Sequence, residues 1–345
     1  MSDVTAVDRR FGAGGPTLAE VGETALLDHL VAIAEAEGGE HRAALRGDDA
    51  GVWTPRAGRD LAISIDALVE DVDFRRPWIT PRQLGGRAFT VAVSDLAATG
   101  ADAEHCLATL CARPSEQLDD VLGIQYGLCA AAAAAGCAVT GGDVSAIDGP
   151  LVIDVCVVGS LPAGRALRRS AGHIGDALLV TGVLGRAAAG LRLLSGGAEP
   201  TSAVERAWVA AQLEPQVRLR EGSALLSHGV RCGADISDGL VLDTMRTARA
   251  SDCAVELWAA ALPVDAELRA RFGNQWLELA IAGGEDFELV VAVAEAEVDA
   301  LLQQWPAELA ALTRVGSLRA GSGVHLLDAA NGAELPLPRS SAGHF

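Results

Sequence analysis

Short clusters of acidic residues set beside glycine, serine or alanine punctuate this chain, and most of them fall where an apolar run ends. The longest is Cys232-Gly233-Ala234-Asp235-Ile236-Ser237-Asp238-Gly239-Leu240, where two carboxylates flank a serine just ahead of the helical pattern Leu240, Leu242, Met245. Ser237 or Asp238 would serve there as a helix N-cap. The same composition recurs at Gly47-Asp48-Asp49, Ser64-Ile65-Asp66, Ser94-Asp95, Gly141-Gly142-Asp143 and Gly283-Gly284-Glu285-Asp286. Apolar runs that keep ending this way imply strands handing over to loops, with carboxylates gathered at the loop mouths where ligands bind. Hard divalent cations prefer oxygen donors, and magnesium typically arrives with phosphates. The pattern points to metal-bound phosphate chemistry.

A chain of 345 residues, half of them hydrophobic, is expected to form two domains. Its net charge of -19 argues against nucleic acid and anionic membranes as partners. No apolar run is long enough to span a bilayer, and the N-terminus lacks the order of a signal peptide. Seven cysteines, an odd number with no C-x-x-C pair, read as reduced thiols in a cytoplasmic protein. The chain contains no lysine. That excludes a P-loop lysine, a protein-kinase strand lysine and Schiff-base chemistry. Any phosphate must be handled by arginine, backbone N–H groups and metal.

Residues 1–18 lack periodicity and are expected to be disordered. An N-terminal domain is expected over 19–160 and a second over 161–345, with the break in the Gly-, Pro- and Arg-rich stretch 159–172. The first would run helix 21–36, strand 61–68, helix 84–98, strand 106–111, helix 118–135, and strands leading into Gly141 and over 151–158. The second restarts with strand 177–180 and helix 186–194. Helix 217–226, the Cys232–Leu240 motif, strand 254–257, helix 265–272 and strand 287–293 follow. Helices and strands interleave throughout, so the fold class is α+β or α/β.

Taken in order, these motifs resemble the thiamine-monophosphate kinase family, within the superfamily that includes aminoimidazole ribonucleotide synthetase and selenophosphate synthetase. The resemblance spans 21–345. It is carried by Arg46-Gly47-Asp48-Asp49, the run from Ser64 to Glu70, the run from Ser94 to Ala101, Gly141-Gly142-Asp143 and Arg169-Ser170-Ala171 ahead of Gly175-Asp176. It continues with the run from Asp235 to Leu240, that from Gly283 to Leu289, and the terminal His344-Phe345. It implies a two-domain aminoimidazole ribonucleotide synthetase-like fold whose N-terminal sheets pair in a homodimer. ATP would be held mainly by the N-terminal domain, with magnesium between its phosphates and the aspartates. By position, Asp49, Ser64, Asp66, Asp95, Asp143, Asp235 and Asp238 fall on metal-ligand positions. Gly142, Asp143, Arg169, Ser237 and Tyr126 fall on nucleotide-contact positions, and Arg169, Asp95 and Asp143 would act in catalysis. At the acceptor site Glu285 matches, whereas Asp73 stands where the family usually has histidine and Ala342 where it usually has an aromatic residue.

The reaction implied is direct in-line phosphoryl transfer from ATP to a small phosphorylated acceptor, thiamine monophosphate, giving the diphosphate. An acceptor phosphate is already ionised at neutral pH, so no strong general base is needed. Two alternatives stay open: a relative acting on a different small acceptor, and a nucleotide-binding protein that has lost turnover.

Overall fold

The computed structural model describes residues 10–12, 14–38, 49–328 and 332–338. Arg46, Gly47, Asp48, Ala342, His344 and Phe345 lie outside the described residues. The chain forms two compact units, Met1–Leu96 with Asp102–Ser160, and Ala97–Ala101 with Leu161–Phe345. The small excursion 97–101, the end of a helix, had no signature in the sequence.

The first unit carries helices α1 (Leu18–Val21), α2 (Glu23–Glu37), α3 (Pro81–Thr99) and α4 (Leu118–Ala134), with strands β1 (Arg59–Val69), β2 (Asp102–Ala112), β3 (Ala138–Ala146) and β4 (Val152–Pro162). The strands form one sheet in the order β1-β4-β2-β3, with β2 parallel to β3 and antiparallel to β4. The helix expected over 21–36 is α2, which begins two residues later because Gly22, with a φ of 80°, separates it from the short α1. Residues 10–12 and 14–18, expected to lack order, are tied down. Gly12 N–H donates to Asp120, Leu18 N–H to the Glu116 carbonyl, and Thr17 closes a capping box with Glu20.

One face of the sheet is covered by α3 and α4, whose backbones touch. A β-carbon on Gly85 of α3 would lie 1.8 Å from the Ile124 carbonyl oxygen, and one on Gly127 of α4 1.8 Å from that of Arg82. Only glycine permits so close an approach. Cys106, Cys129 and Cys137 are buried in this layer. The opposite face is different. On β1 the alternation puts Ala62, Ser64 and Leu68 inward and leaves Leu61, Ile63 and Ile65 exposed, an apolar surface facing out.

The second unit contains β5 (Ala177–Thr181), α5 (Arg186–Ser195), α6 (Ala203–Leu213), α7 (Leu219–Ser227), β6 (Cys232–Ile236), α8 (Leu240–Ala250) and β7 (Ala254–Trp258). There follow α9 (Ala266–Phe272), α10 (Trp276–Ala282), β8 (Glu288–Val293), α11 (Val298–Gln304), β9 (Leu312–Arg319), β10 (Gly323–Leu327) and β11 (Glu334–Leu335). Its sheet runs β11-β10-β7-β9-β5-β8-β6, and only β7 and β10 pair in parallel. The continuous apolar strands β5, β6 and β8 are buried on both faces. Their core is filled by Leu193, Trp208, Leu240, Leu268 and Ile281 from the helices and Leu184 from the loop before α5. Both sheets are mixed, so the class is α+β. Among the described residues no helix is long and apolar enough to cross a membrane.

Candidate functional site

In the first unit Gly141-Gly142-Asp143, expected at a loop mouth, turn out to be strand, while Ser64, Asp66 and Asp95 fall inside the strand and helix expected for them. Ser64 and Asp66 lie within β1, Asp95 within α3, and Gly141, Gly142 and Asp143 within β3. What exposes the last three is a bulge. The β2–β3 register shifts between Cys106 and Leu107, leaving Thr140 as the extra residue, its hydroxyl on the Cys106 carbonyl. Bulges re-aim the side chains beyond them, and Gly141, Gly142 and Asp143 emerge exposed after three buried residues. The glycines have different reasons. A β-carbon on Gly142 would meet the Ala108 carbonyl oxygen at 2.1 Å, so the neighbouring strand demands that glycine, whereas Gly141 has only Leu107 at 3.5 Å.

These residues form the polar end of a cavity of about 290 Å³. Its apolar walls come from α2 and α4 (Leu27, Leu30, Val31, Ile124, Leu128), and Asp49 and Gly51 join Asp143 at the polar end. Gln125 lines it and donates to the Leu30 carbonyl at 3.4 Å. Tyr126, the expected nucleotide contact on α4, is not among the lining residues; its neighbour Gln125 is. Elsewhere in the unit, the Ser64 hydroxyl donates to Asp95 at 2.5 Å, joining β1 to α3. Asp73 is engaged too: its carboxylate accepts the Val69 N–H at 2.8 Å and closes the turn after β1.

The second unit gathers its own acidic group where β6 ends and β8 begins. The two strands are antiparallel neighbours, so the loop after Ile236 meets the loop before Glu288. Glu285 N–H donates to the Ser237 carbonyl at 2.7 Å, and Phe287 N–H to that of Ile236 at 3.0 Å. Glu285 and Phe287 both have positive φ, 60° and 48°. Gln212 holds the Glu285 carboxylate at 2.6 Å. Asp235 is buried on β6 with the Arg169 guanidinium 3.8 Å away. Asp238 is paired with Arg246, which also binds Asp243 at 2.8 Å. Arg218 grips Glu288 with two hydrogen bonds of 2.7 and 2.6 Å.

Asp286 shows how burial competes with hydrogen bonding. Its carboxylate accepts from Gly185 N–H and Ala187 N–H at the start of α5, which favours the charge. Burial wins and pushes the carboxyl up to about 8. A raised folded-state value means stabilisation that is complete below the ordinary carboxylate range, about pH 4, and lost as pH rises through about 8. Urea unfolding at about pH 5 and about pH 8 should therefore show a larger loss for the wild type than for Asp286→Asn. Equal losses would rule out a buried neutral Asp286.

The oxygen-only donor set suits magnesium. Among the described residues no three acidic, His or Cys side chains converge closely enough to enclose an ion.

Residues 47–161 match the model for the N-terminal domain of AIR synthase related proteins, and residues 173–328 that for the C-terminal domain. The Bacillus subtilis thiamine-monophosphate kinase is 31% identical over 302 residues, covering 87% of this chain and 92% of that protein. The chain belongs to the thiamine-monophosphate kinase family. The kinase structure from Stenotrophomonas maltophilia superposes with a TM-score of 0.79 at 32% identity, covering 88% of this chain and 96% of that one. A structure of AaThiL complexed with AMPPCP and TMP gives 0.71 at 28%, covering 91% and 96%.

Sequence reading missed the supporting residues of this family fold. Gln125, Gln212, Asp243 and Arg246 stand in helices, and Arg218 just ahead of one, at polar positions that look like solvated faces. Only Arg246 had a usable signal, lying three residues beyond Asp243, one turn on along the same helix face.

Proposed function

We propose that this chain transfers the terminal phosphoryl group of ATP to thiamine monophosphate, giving thiamine diphosphate. The observation that carries the reading is the cavity of the first unit, apolar along α2 and α4 and polar at Gly141-Gly142-Asp143 and Asp49, in a chain whose structural relative is complexed with AMPPCP and TMP. The apolar walls suit a nucleoside base, and the exposed backbone of Gly141 suits phosphate. Magnesium carried by the phosphates would take single oxygens from Asp49, Ser64, Asp66, Asp95 or Asp143 of the first unit, and from Asp235 or Asp238 of the second, and would neutralise the phosphate oxygens that approach one another. Ser64 orients Asp95 through its hydrogen bond. Arg169 presents its guanidinium to charge on the transferred group. Ser237 offers a hydroxyl to the nucleotide, and Glu285, held by Gln212, a carboxylate to the acceptor.

The test is direct. The protein is incubated with Mg-ATP and a panel of phosphorylated vitamins and nucleotide precursors, and a new diphosphate is sought by mass. Thiamine diphosphate is the expected product, and no product from any acceptor would overturn the reading. A second reading, a different small acceptor, is favoured by Asp73. Its carboxylate, which accepts the Val69 N–H, stands where the family usually has histidine. The position of Ala342 lies outside the described residues. If thiamine monophosphate is the poor member of the panel, Asp73→His with Ala342→Trp should raise its turnover about tenfold.

Without cation the clustered carboxylates repel. Magnesium with a non-hydrolysable ATP analogue at about 100 times its Kd should stabilise the fold by about 2.7 kcal/mol, read as a rise in melting temperature. No shift would count against the site. The exposed apolar face of β1, with Ile63 72% and Ile65 62% accessible, supports a homodimer closed through this sheet. Light scattering at micromolar concentration should report twice the chain mass.

A further inference from the structure

The cavity of the first unit has a single polar side chain on the wall that its two helices build. Val121, Ile124 and Leu128 line the cavity beside Gln125 on one face of α4, and α2 contributes only leucines, a valine and an alanine. The other polar side chains that line it, Asp49, Thr109, Thr140 and Asp143, stand on neither helix. Thr109 is paired in register with Asp143, and the Thr140 hydroxyl is engaged on the Cys106 carbonyl. The phosphate end is therefore polar for one reason, and Gln125 needs another.

A glutamine amide has two unlike ends, an oxygen that accepts and an NH2 that donates. The Leu30 carbonyl decides which end lies where. It can only accept, so the hydrogen bond of 3.4 Å that crosses the wall from α4 to α2 comes from Gln125 Nε2. That leaves Oε1 without a hydrogen bond among the described residues. A leucine would fill the position and leave no polar atom behind. An amide oxygen set among apolar neighbours is disfavoured until something donates to it.

We propose that Gln125 selects a 6-aminopurine over a 6-oxopurine in this cavity. Its Oε1 accepts from the exocyclic amino group, and the second hydrogen on Nε2 donates to a neighbouring ring nitrogen. This rests on the nucleotide reading of the cavity given above and adds the side chain that reads the base. Adenine presents a donor beside an acceptor, the complement of a glutamine amide held in this orientation. Hypoxanthine and guanine present an oxygen at the same place, which meets Oε1 lone pair to lone pair. Turning the amide over would offer NH2 to that oxygen but would set Oε1 against the Leu30 carbonyl. One repulsive pair of oxygens remains in either orientation, and that repulsion supplies the discrimination.

Inosine triphosphate carries the 6-oxo group and otherwise matches ATP, so the two isolate this contact. Calorimetry on the full chain, with magnesium and the β,γ-methylene analogue of each, should show the adenine analogue bound about thirtyfold more tightly. As phosphoryl donors the two should differ by a similar factor, in KM far more than in kcat, because the base lies away from the reacting oxygens. Gln125→Leu puts an apolar side chain on an apolar face. It should bring the two analogues within about threefold of each other, chiefly by weakening the adenine one. A melting curve establishes that the variant is folded. Equal affinities in the wild type, a folded Gln125→Leu that still prefers adenine, or no binding of either analogue would each overturn the assignment. A preference that holds while no thiamine diphosphate is formed would sustain the base contact and remove the kinase reading.

Discussion

Asp95→Asn leaves the fold intact and abolishes magnesium-dependent turnover, with an expected loss of about a thousandfold, the equivalent of about 4 kcal/mol at the transition state. The substitution is nearly isosteric. The amide oxygen can still accept the Ser64 hydroxyl that joins β1 to α3, so melting temperature should move by no more than about 2 °C, a change of roughly 1 kcal/mol or less. On the role proposed for Asp95, what is lost is a charge that would serve the phosphates, where neutralising donor and acceptor oxygens is the main cost of bringing two anions together. Steady-state kinetics over a magnesium titration, with a melting curve on the same sample, separate the two effects. Near wild-type activity would show that this carboxylate is a structural partner of Ser64 and no more.

The second large effect is on stability. Gly127→Ala should cost about 3 kcal/mol and lower the melting temperature of the first unit by about 10 °C. A methyl group there would sit 1.8 Å from the Arg82 carbonyl oxygen, an atom that no side-chain rotation can move away. Helices α3 and α4 would have to part, stripping contacts from Phe89, Leu96 and Leu128, all buried. This outweighs the gain of about 1 kcal/mol that alanine brings to a helix. Gly86 is the control one residue from the contact. Its β-carbon would meet nothing nearer than the Gly127 carbonyl at 3.7 Å, so Gly86→Ala should be neutral or stabilising. Equal effects of the two would refute backbone contact as the reason for the glycines.

Much of the fold was legible because its elements announce themselves locally. The alanine-rich α4, the alternation of β1 and the continuous apolar β8 follow directly from side-chain period. The candidate carboxylates were legible as a set, since so many acidic residues beside glycine have few other uses. Their structural setting was not. The bulge at Thr140 depends on the register between β2 and β3, which no local pattern encodes, so Gly141 to Asp143 read as a loop although they are strand. Asp73 was unreadable for a related reason. A carboxylate offered to a ligand and one closing its own turn look the same in sequence, and only the Val69 N–H distinguishes them. The partners Gln212, Arg218 and Arg246 come from elements far along the chain or from exposed helix faces, where type and spacing carry little information.

The left-handed backbone at Glu285 has an evolutionary reading. Residues with side chains resist that conformation, at a cost of about 1 kcal/mol or more, and glycine or asparagine would adopt it with less strain. Gly284, the residue before it, is already such a glycine, with φ 70°. Selection for stability alone would therefore drift Glu285 toward glycine, and selection for acceptor binding would hold the carboxylate. A laboratory population evolved for thermal resistance without a demand for turnover should lose this glutamate early, and one that must turn over substrate should seek its stability elsewhere.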